Sequence, residues 1–264
     1  MPIMSEPVSS PAGMENDVPD WQRRVVGRSL EGARARSIDR STQLIRAAAT
    51  VLERTNGESL TVQEVADTAG QSLRTLYQYF SSKDDLILAV YEEAMRTYAR
   101  LIDGLIDRLE DPLERLAGGV IVSARMPALH GTAGVDRGLS YLRLHLGQSE
   151  PELIARSQEP VTTLFRSLVH DALATQSSPL LSVEAATYFV SSARTSFIVS
   201  STLGNEYAVE LPNVIDLSCF CLAGLGFDLH RKWHEEVDAR LELTAKDGRS
   251  ILRALAKVPA SRTR

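Results

Sequence analysis

Apolar residues recur along this chain three and four positions apart, the period of an amphipathic helix. Leu44, Ile45, Ala48, Val51 and Leu52 form one stripe, on a helix predicted to start near Ser37 or Asp39 and to stop at Asn56 and Gly57. Val62, Val65, Ala66 and Ala69 form a second. Gly70 breaks it, and Leu73, Leu76, Tyr77 and Phe80 resume in a new phase. Leu86, Ala89, Val90, Ala94, Met95, Tyr98, Leu101, Ile102 and Leu105 carry a fourth, longer stripe to about Arg108. Beyond it the pattern predicts helices from Asp111–Pro112 to about Arg125, from Gly138 to Leu146, and from Glu150–Pro151 to about Ala174. The last of these contains Pro160, a candidate kink. Two more follow, over residues 185–201 and 213–226, and LHRKWHEEVDARLEL after Phe227 keeps helical character. The fold class is all-α.

The stretch Thr61–Lys83 carries the sharpest local signals. Thr61 stands three residues before Glu64, the spacing of a capping box. Ser72 is placed to accept from the Thr75 amide as a second N-cap, and Ser82 to cap the fourth helix with Asp85 three residues on. Gly70 suits a left-handed helix stop, and Ala66 is small enough for two helices to cross closely. Two short helices over a tight turn are a helix-turn-helix, whose second helix enters the major groove. Thr61, Ala66, Ala69, Gly70, Ser72, Thr75, Leu76, Tyr77, Tyr79, Phe80, Ser82 and Lys83 closely resemble the TetR family of bacterial transcription regulators. The S-x-x-T-L-Y-x-Y-F-x-S-K string is far more specific than a bare helix-turn-helix pattern. Gln71 stands where that family usually has an apolar residue, and Arg74 where it usually has a small one. The resemblance is strong from about Ile38 to Ala94.

On that basis Thr61, Ser72, Leu73, Arg74, Thr75, Tyr77, Gln78, Tyr79 and Lys83 are the candidate DNA contacts. Arg74 suits a guanine edge, since its fork matches O6 and N7. Leu73 and Thr75 suit thymine methyls, Tyr77 is the more solvent-facing tyrosine, and Lys83 suits a phosphate. The resemblance implies a three-helix DNA-binding domain over residues 37–83 and a helical ligand-binding and dimerisation domain over 84–229. Residues 1–36 are expected to be a disordered extension with a basic arm, and 230–264 a charged C-terminal extension with no evident purpose.

Charge supports a DNA-binding end. The chain carries a net −5 overall, yet residues 23–40 hold six arginines against Glu31 and Asp39, a net of +4. A basic end on an acidic body orients a protein on DNA. The arm itself reads either as a solvated tail or as a segment lying on phosphates or in a minor groove. No apolar run reaches the length that spans a bilayer. The acidic, proline-bearing N-terminus is no secretory signal. Cys219 and Cys221, two apart, fit neither a staple nor a metal clamp, so the expected location is cytoplasmic.

In the body, Ser192, Ser196 and Ser200 share one stripe, and Cys219 and Ala223 another. The resemblance makes these two helices a dimer interface; ordinary packing within one subunit is the plainer alternative. Tyr98, Tyr141, Arg143, His145, Phe165 and Arg194 are the candidate contacts to a small apolar or aromatic effector. His230 and His234 lie four apart, too few groups for a metal site, and His145 and His170 read as core histidines. No catalytic signature or cofactor motif stands out. The resulting expectation is a homodimeric repressor released from double-stranded operator DNA by an effector. An activator of the same fold, or a ligand-binding or enzymatic helical protein with a secondary head, remain the alternatives.

Overall fold

The computed structural model describes residues 20–55, 59–126, 137–140, 143, 147, 151–202 and 211–241. The expected disorder of the first residues, the ends at Asn56 and Gly57, the loop at Pro127, Tyr141, His145 and the tail beyond Leu241 lie outside them. Every regular element among the described residues is helical: α1 Asp20–Arg54, α2 Val62–Ala69, α3 Leu73–Tyr79, α4 Lys83–Ile106, α5 Pro112–Arg125, α6 Pro151–Leu173, α7 Val183–Thr202, α8 Leu211–Gly224 and α9 Arg231–Leu241. Residues 137–140, 143 and 147 are helical too. The described residues up to Arg40 form one unit and those from Ser41 onward a second.

The first helix corrects the sequence reading. It begins at Asp20, far before Ser37. Its first half lacks an apolar stripe and so escapes a periodicity argument, yet Arg, Ala, Leu and Glu are good helix formers. Arg34 and Arg36 are exposed on it.

In the second unit, Leu44, Ala48 and Val51 of α1 are buried with Val65 and Ala66 of α2, Leu76 of α3 and Leu86 of α4. Burying each leucine or valine contributes roughly 1.5–3 kcal/mol, which offsets the low intrinsic stability of helices as short as α2 and α3. α4 is a 24-residue helix that runs from this head into the body. Arg115 closes its far end by donating to the carbonyls of Ile106 and Leu109 at 3.2 and 3.3 Å. In the body α6 packs on α4, α5 and α7, and α5 also packs on α8 and α9. Close approach needs glycine in α5: a Cβ at Gly118 would lie 2.8 Å from Leu109 Cδ1, and one at Gly119 3.0 Å from Leu168 Cδ1.

Residues 231–241 of the expected charged extension are packed into the body. Val237 and Leu241 are fully buried. Arg125 pairs with Asp238, Arg240 with Glu114 at 2.7 Å, and Arg108 donates to the Leu241 carbonyl at 3.0 Å. His234 is buried against Ser218, Nδ1 to Oγ 3.0 Å, whereas His230 is exposed. His170 is exposed beside Asp171, not a core residue, because its position falls outside the α6 stripe of Phe165, Leu168 and Val169. No described helix is long and apolar enough to cross a membrane.

Candidate nucleic-acid interface

The pair α2–α3 is fixed by its caps. The Glu64 amide donates to Thr61 Oγ1 at 3.2 Å, while Glu64 Oε2 accepts from the Thr61 amide at 3.3 Å and its hydroxyl at 2.8 Å, a complete capping box. Gly70 ends α2 at φ 63°, ψ 31°. There the Gln71 amide bonds the Ala66 carbonyl at 2.9 Å and the Gly70 amide the Asp67 carbonyl at 3.1 Å, the crossed pair of a Schellman stop. Ala66 is fully buried at the crossing. Gln71, where the family resemblance leads one to expect an apolar residue, donates to Gln43 Oε1 at 3.3 Å and so ties the turn to α1.

Ser72 begins α3: the Thr75 amide donates to its Oγ at 3.1 Å, and the two hydroxyls lie 2.9 Å apart. Ser82 caps α4 by accepting from the Asp85 amide at 3.1 Å. The Asp85 carboxylate reaches past it to the amide of Ser81 at 2.8 Å, so the box-like arrangement is displaced by one residue.

The candidate contacts therefore fall into two groups. Thr61, Ser72 and Thr75 spend their hydroxyls on capping, and Leu73 and Tyr79 are half-buried against the core. Arg74, Tyr77, Gln78 and Lys83 are exposed and make no hydrogen bond or ion pair with the described residues. Tyr77 is 52 % exposed, the more solvent-facing of the two tyrosines. Lys83 opens α4, whose first turn also carries Asp84 and Asp85, so the positive charge here comes from its side chain rather than from the helix end.

A second site lies in the body. A cavity of about 90 Å³ is lined by Tyr98, Arg143 and Arg194, three of the candidate effector contacts, with Tyr91, Gln158 and Ser191 among others. Phe165 is fully buried behind Arg194, whose Cζ stands 4.6 Å from its ring centroid. Tyr91 accepts from Gln158 Nε2 at 2.8 Å; burial pushes its hydroxyl pKa up. Tyr91, Gln158 and Ser191 were missed in the sequence because a polar residue next to an apolar stripe gives no sign of facing a cavity.

On the outer side of α7 and α8, Ser192, Ser196 and Ala223 are exposed, while Ser200 and Cys219 are half-buried. Sequence reasoning missed the large groups there: Tyr188, Phe189 and Phe220 are 68 %, 58 % and 68 % exposed. Burial pushes the Cys221 thiol up to about 12, so it is a neutral packing group.

A capped helix pair with free basic and polar groups, joined by one long helix to an all-helical body, defines a helix-turn-helix regulator fold. Residues 44–90 match the family described as bacterial regulatory proteins, tetR family. The transcriptional regulator BetI of Brucella anthropi is 33% identical over 84 residues, 32% of this chain and 43% of that protein. The nicotine-responsive transcriptional repressor HdnoR of Paenarthrobacter nicotinovorans is 35% identical over 78 residues, 30% of this chain and 40% of its own. The matched region thus spans less than half the length of these relatives. Among solved structures, RolR in complex with resorcinol superposes with a TM-score of 0.55 at 17% identity, over 78% of this chain and 95% of that one. The fatty acid degradation regulator FadR of Bacillus halodurans gives 0.55 at 22%, over 69% and 98%. At such identities the likeness is one of fold. Residues 44–90 thus carry the DNA-binding segment of the TetR family, and the chain as a whole shares the fold of these regulators.

Proposed function

We propose that the protein is a cytoplasmic, non-enzymatic transcriptional regulator, a homodimeric repressor that leaves its operator when a small molecule fills the body cavity. The observation that carries this reading is the row of unpaired Arg74, Tyr77 and Gln78 on a fully capped α3, with Lys83 just beyond. Groups carried on a fixed helix and left without partners are available to an outside ligand, and cationic and amide side chains suit DNA. Arg74 reads a base edge; Lys83 and Tyr77 position the backbone; Leu73 contributes only its exposed edge. Thr61, Ser72, Thr75 and Tyr79 act mainly by holding the pair in shape. The exposed face around Ser196, Phe189, Phe220 and Ala223 pairs two copies, so that two α3 helices meet half-sites about one helical turn apart. The names of HdnoR, a responsive repressor, and of RolR, bound to resorcinol, lend support to the ligand-controlled part.

The test is binding-site selection with the purified protein, then a salt series on the selected operator. Lys83→Ala should weaken all sequences about equally and reduce the salt slope by roughly 1. Arg74→Ala should cost about 1–3 kcal/mol on the operator and relax preference at one base pair in each half-site. A uniform loss across single-base variants for Arg74→Ala would make it a phosphate contact. Failure to select any sequence, with no salt-dependent affinity, would overturn the reading.

A further inference from the structure

Among its described lining residues the body cavity holds two guanidinium groups and no carboxylate. Arg143 and Arg194 both line it, and neither forms an ion pair with a described carboxylate. Burial, then the neighbouring Arg143, pulls Arg194 down to about 10, which still leaves it charged at neutral pH. Two cations beside each other in a desolvated site repel unless something of opposite sign lies between them.

The remaining polar atoms point the same way. Arg194 Nε is buried without a hydrogen-bond partner, and so is Ser191 Oγ one helical turn earlier on α7. Buried polar atoms are nearly always satisfied, so each orphan calls for a partner. The Tyr91 hydroxyl already accepts from Gln158, which leaves its own proton free to donate. Among the described lining residues two guanidinium groups carry charge and every acceptor is a neutral hydroxyl or amide oxygen. An anionic acceptor with several lone pairs suits such a set, and a carboxylate, which takes a guanidinium in a bidentate pair, is the most compact organic one.

Met95, Ile102, Leu139 and Val161 give the cavity an apolar wall, interrupted by the hydroxyls of Ser123, Ser140, Thr162 and Thr195. We propose that this cavity binds a monoanionic organic acid, its carboxylate held between Arg143 and Arg194 and a compact apolar body among Met95, Ile102 and Val161. The inference rests on the ligand-responsive reading above and specifies its ligand. Size limits that body. The cavity measures about 90 Å³, whereas roughly 150 Å³ accommodates benzene. A single ring or short branched chain fits after Met95 and Met126 adjust, as methionine readily does; a long acyl chain does not. A wider groove of about 920 Å³ shares Arg143, Gln158, Ser191 and Thr195 with the cavity, which places the charged end towards the open side.

The experiment is calorimetric titration of the full chain, without DNA, using benzoate and hexanoate against benzamide and hexanamide. At least one acid should bind, and its amide roughly tenfold or more weakly, the size of one lost charge-assisted interaction. Arg194→Met should lower acid affinity roughly tenfold and leave the amide where it was. Because a buried substitution risks misfolding, Arg143→Gln, at a half-buried position, is measured alongside, with circular dichroism on both. If neither acid binds, if the amides bind as tightly as the acids, or if Arg143→Gln leaves acid affinity unchanged, the proposal is overturned. Operator affinity is measured separately on the ligand-free protein, so failure of the head to bind DNA leaves this result standing. Acid binding that does not alter operator affinity supports the site and counts against ligand control of DNA binding.

Discussion

Gly70 offers a clean measurement of what holds the DNA-binding turn. Its backbone sits at φ 63°, and a Cβ added there would meet nothing within 4 Å. Gly70→Ala therefore introduces no clash; it only forces an L side chain into the left-handed region, which costs roughly 1–2 kcal/mol. Alanine also restricts the unfolded chain, returning about 0.4–1 kcal/mol. The net is a loss of about 1 kcal/mol. Gly104 is the control. It lies in α4, is exposed, and a Cβ there also meets nothing within 4 Å. Gly104→Ala should stabilise by about 0.5 kcal/mol through helix propensity alone. One substitution at two open sites should thus act with opposite sign. The assay is urea unfolding at one protein concentration. With a slope of about 2 kcal/mol per molar, the two midpoints should differ by roughly 0.7 M, at unchanged slope. If both variants shift the same way, the left-handed stop is not what positions α3, and the account of the turn given above fails.

Other expectations follow from the body. Ser196→Arg and Ala223→Arg place a charge on the exposed face of α7 and α8 and should yield monomers by light scattering that bind DNA far more weakly; an intact dimer for both rules out that face as the interface. His234 is held below its ordinary 6.5 by burial and then by Arg231. The folded state favours the neutral ring, so as pH falls below about 6.5 the unfolded chain takes up the proton first and stability drops, while above that value the contribution is complete. Melting temperature should therefore fall on acidification from about pH 7.5 to 5.5, and His234→Gln, which can still bond Ser218 but does not titrate, should flatten that dependence; an equally steep profile in the variant assigns the effect elsewhere.

The head was legible in the sequence because its determinants are local. Thr61 with Glu64, Ser72 with Thr75, Ser82 with Asp85 and the stop at Gly70 all act within five residues, and each appears in the structure. The body was less legible because its determinants are not. Phe165 and Tyr98 sit on similar apolar stripes, yet one is core and the other lines the cavity; only packing distinguishes them. Arg125 and Asp238, far apart in the chain, give no sign of pairing, so α9 read as a charged tail rather than a packed helix. The exposed phenylalanines 189 and 220 went unnoticed beside the serine stripe. The first half of α1 shows the reverse failure: a helix without an apolar face leaves no periodic trace.

The length of α4 makes it a lever. Lys83 begins the helix, and Tyr91, Met95, Tyr98 and Ile102 on the same rod line the cavity. At 1.5 Å per residue Met95 lies about 18 Å from Lys83, so a tilt of about 5° at the cavity displaces the head end by roughly 1.6 Å. In a two-fold pair the displacements add to about 3 Å, against a spacing of roughly 34 Å between successive major grooves. Another wall of the cavity comes from α6, where Pro160, which cannot donate a backbone hydrogen bond, falls between Gln158 and Thr162. Were an effector to change the cavity's volume, a continuous rod on one side and a helix with a missing rung on the other would turn that change into rotation rather than local strain.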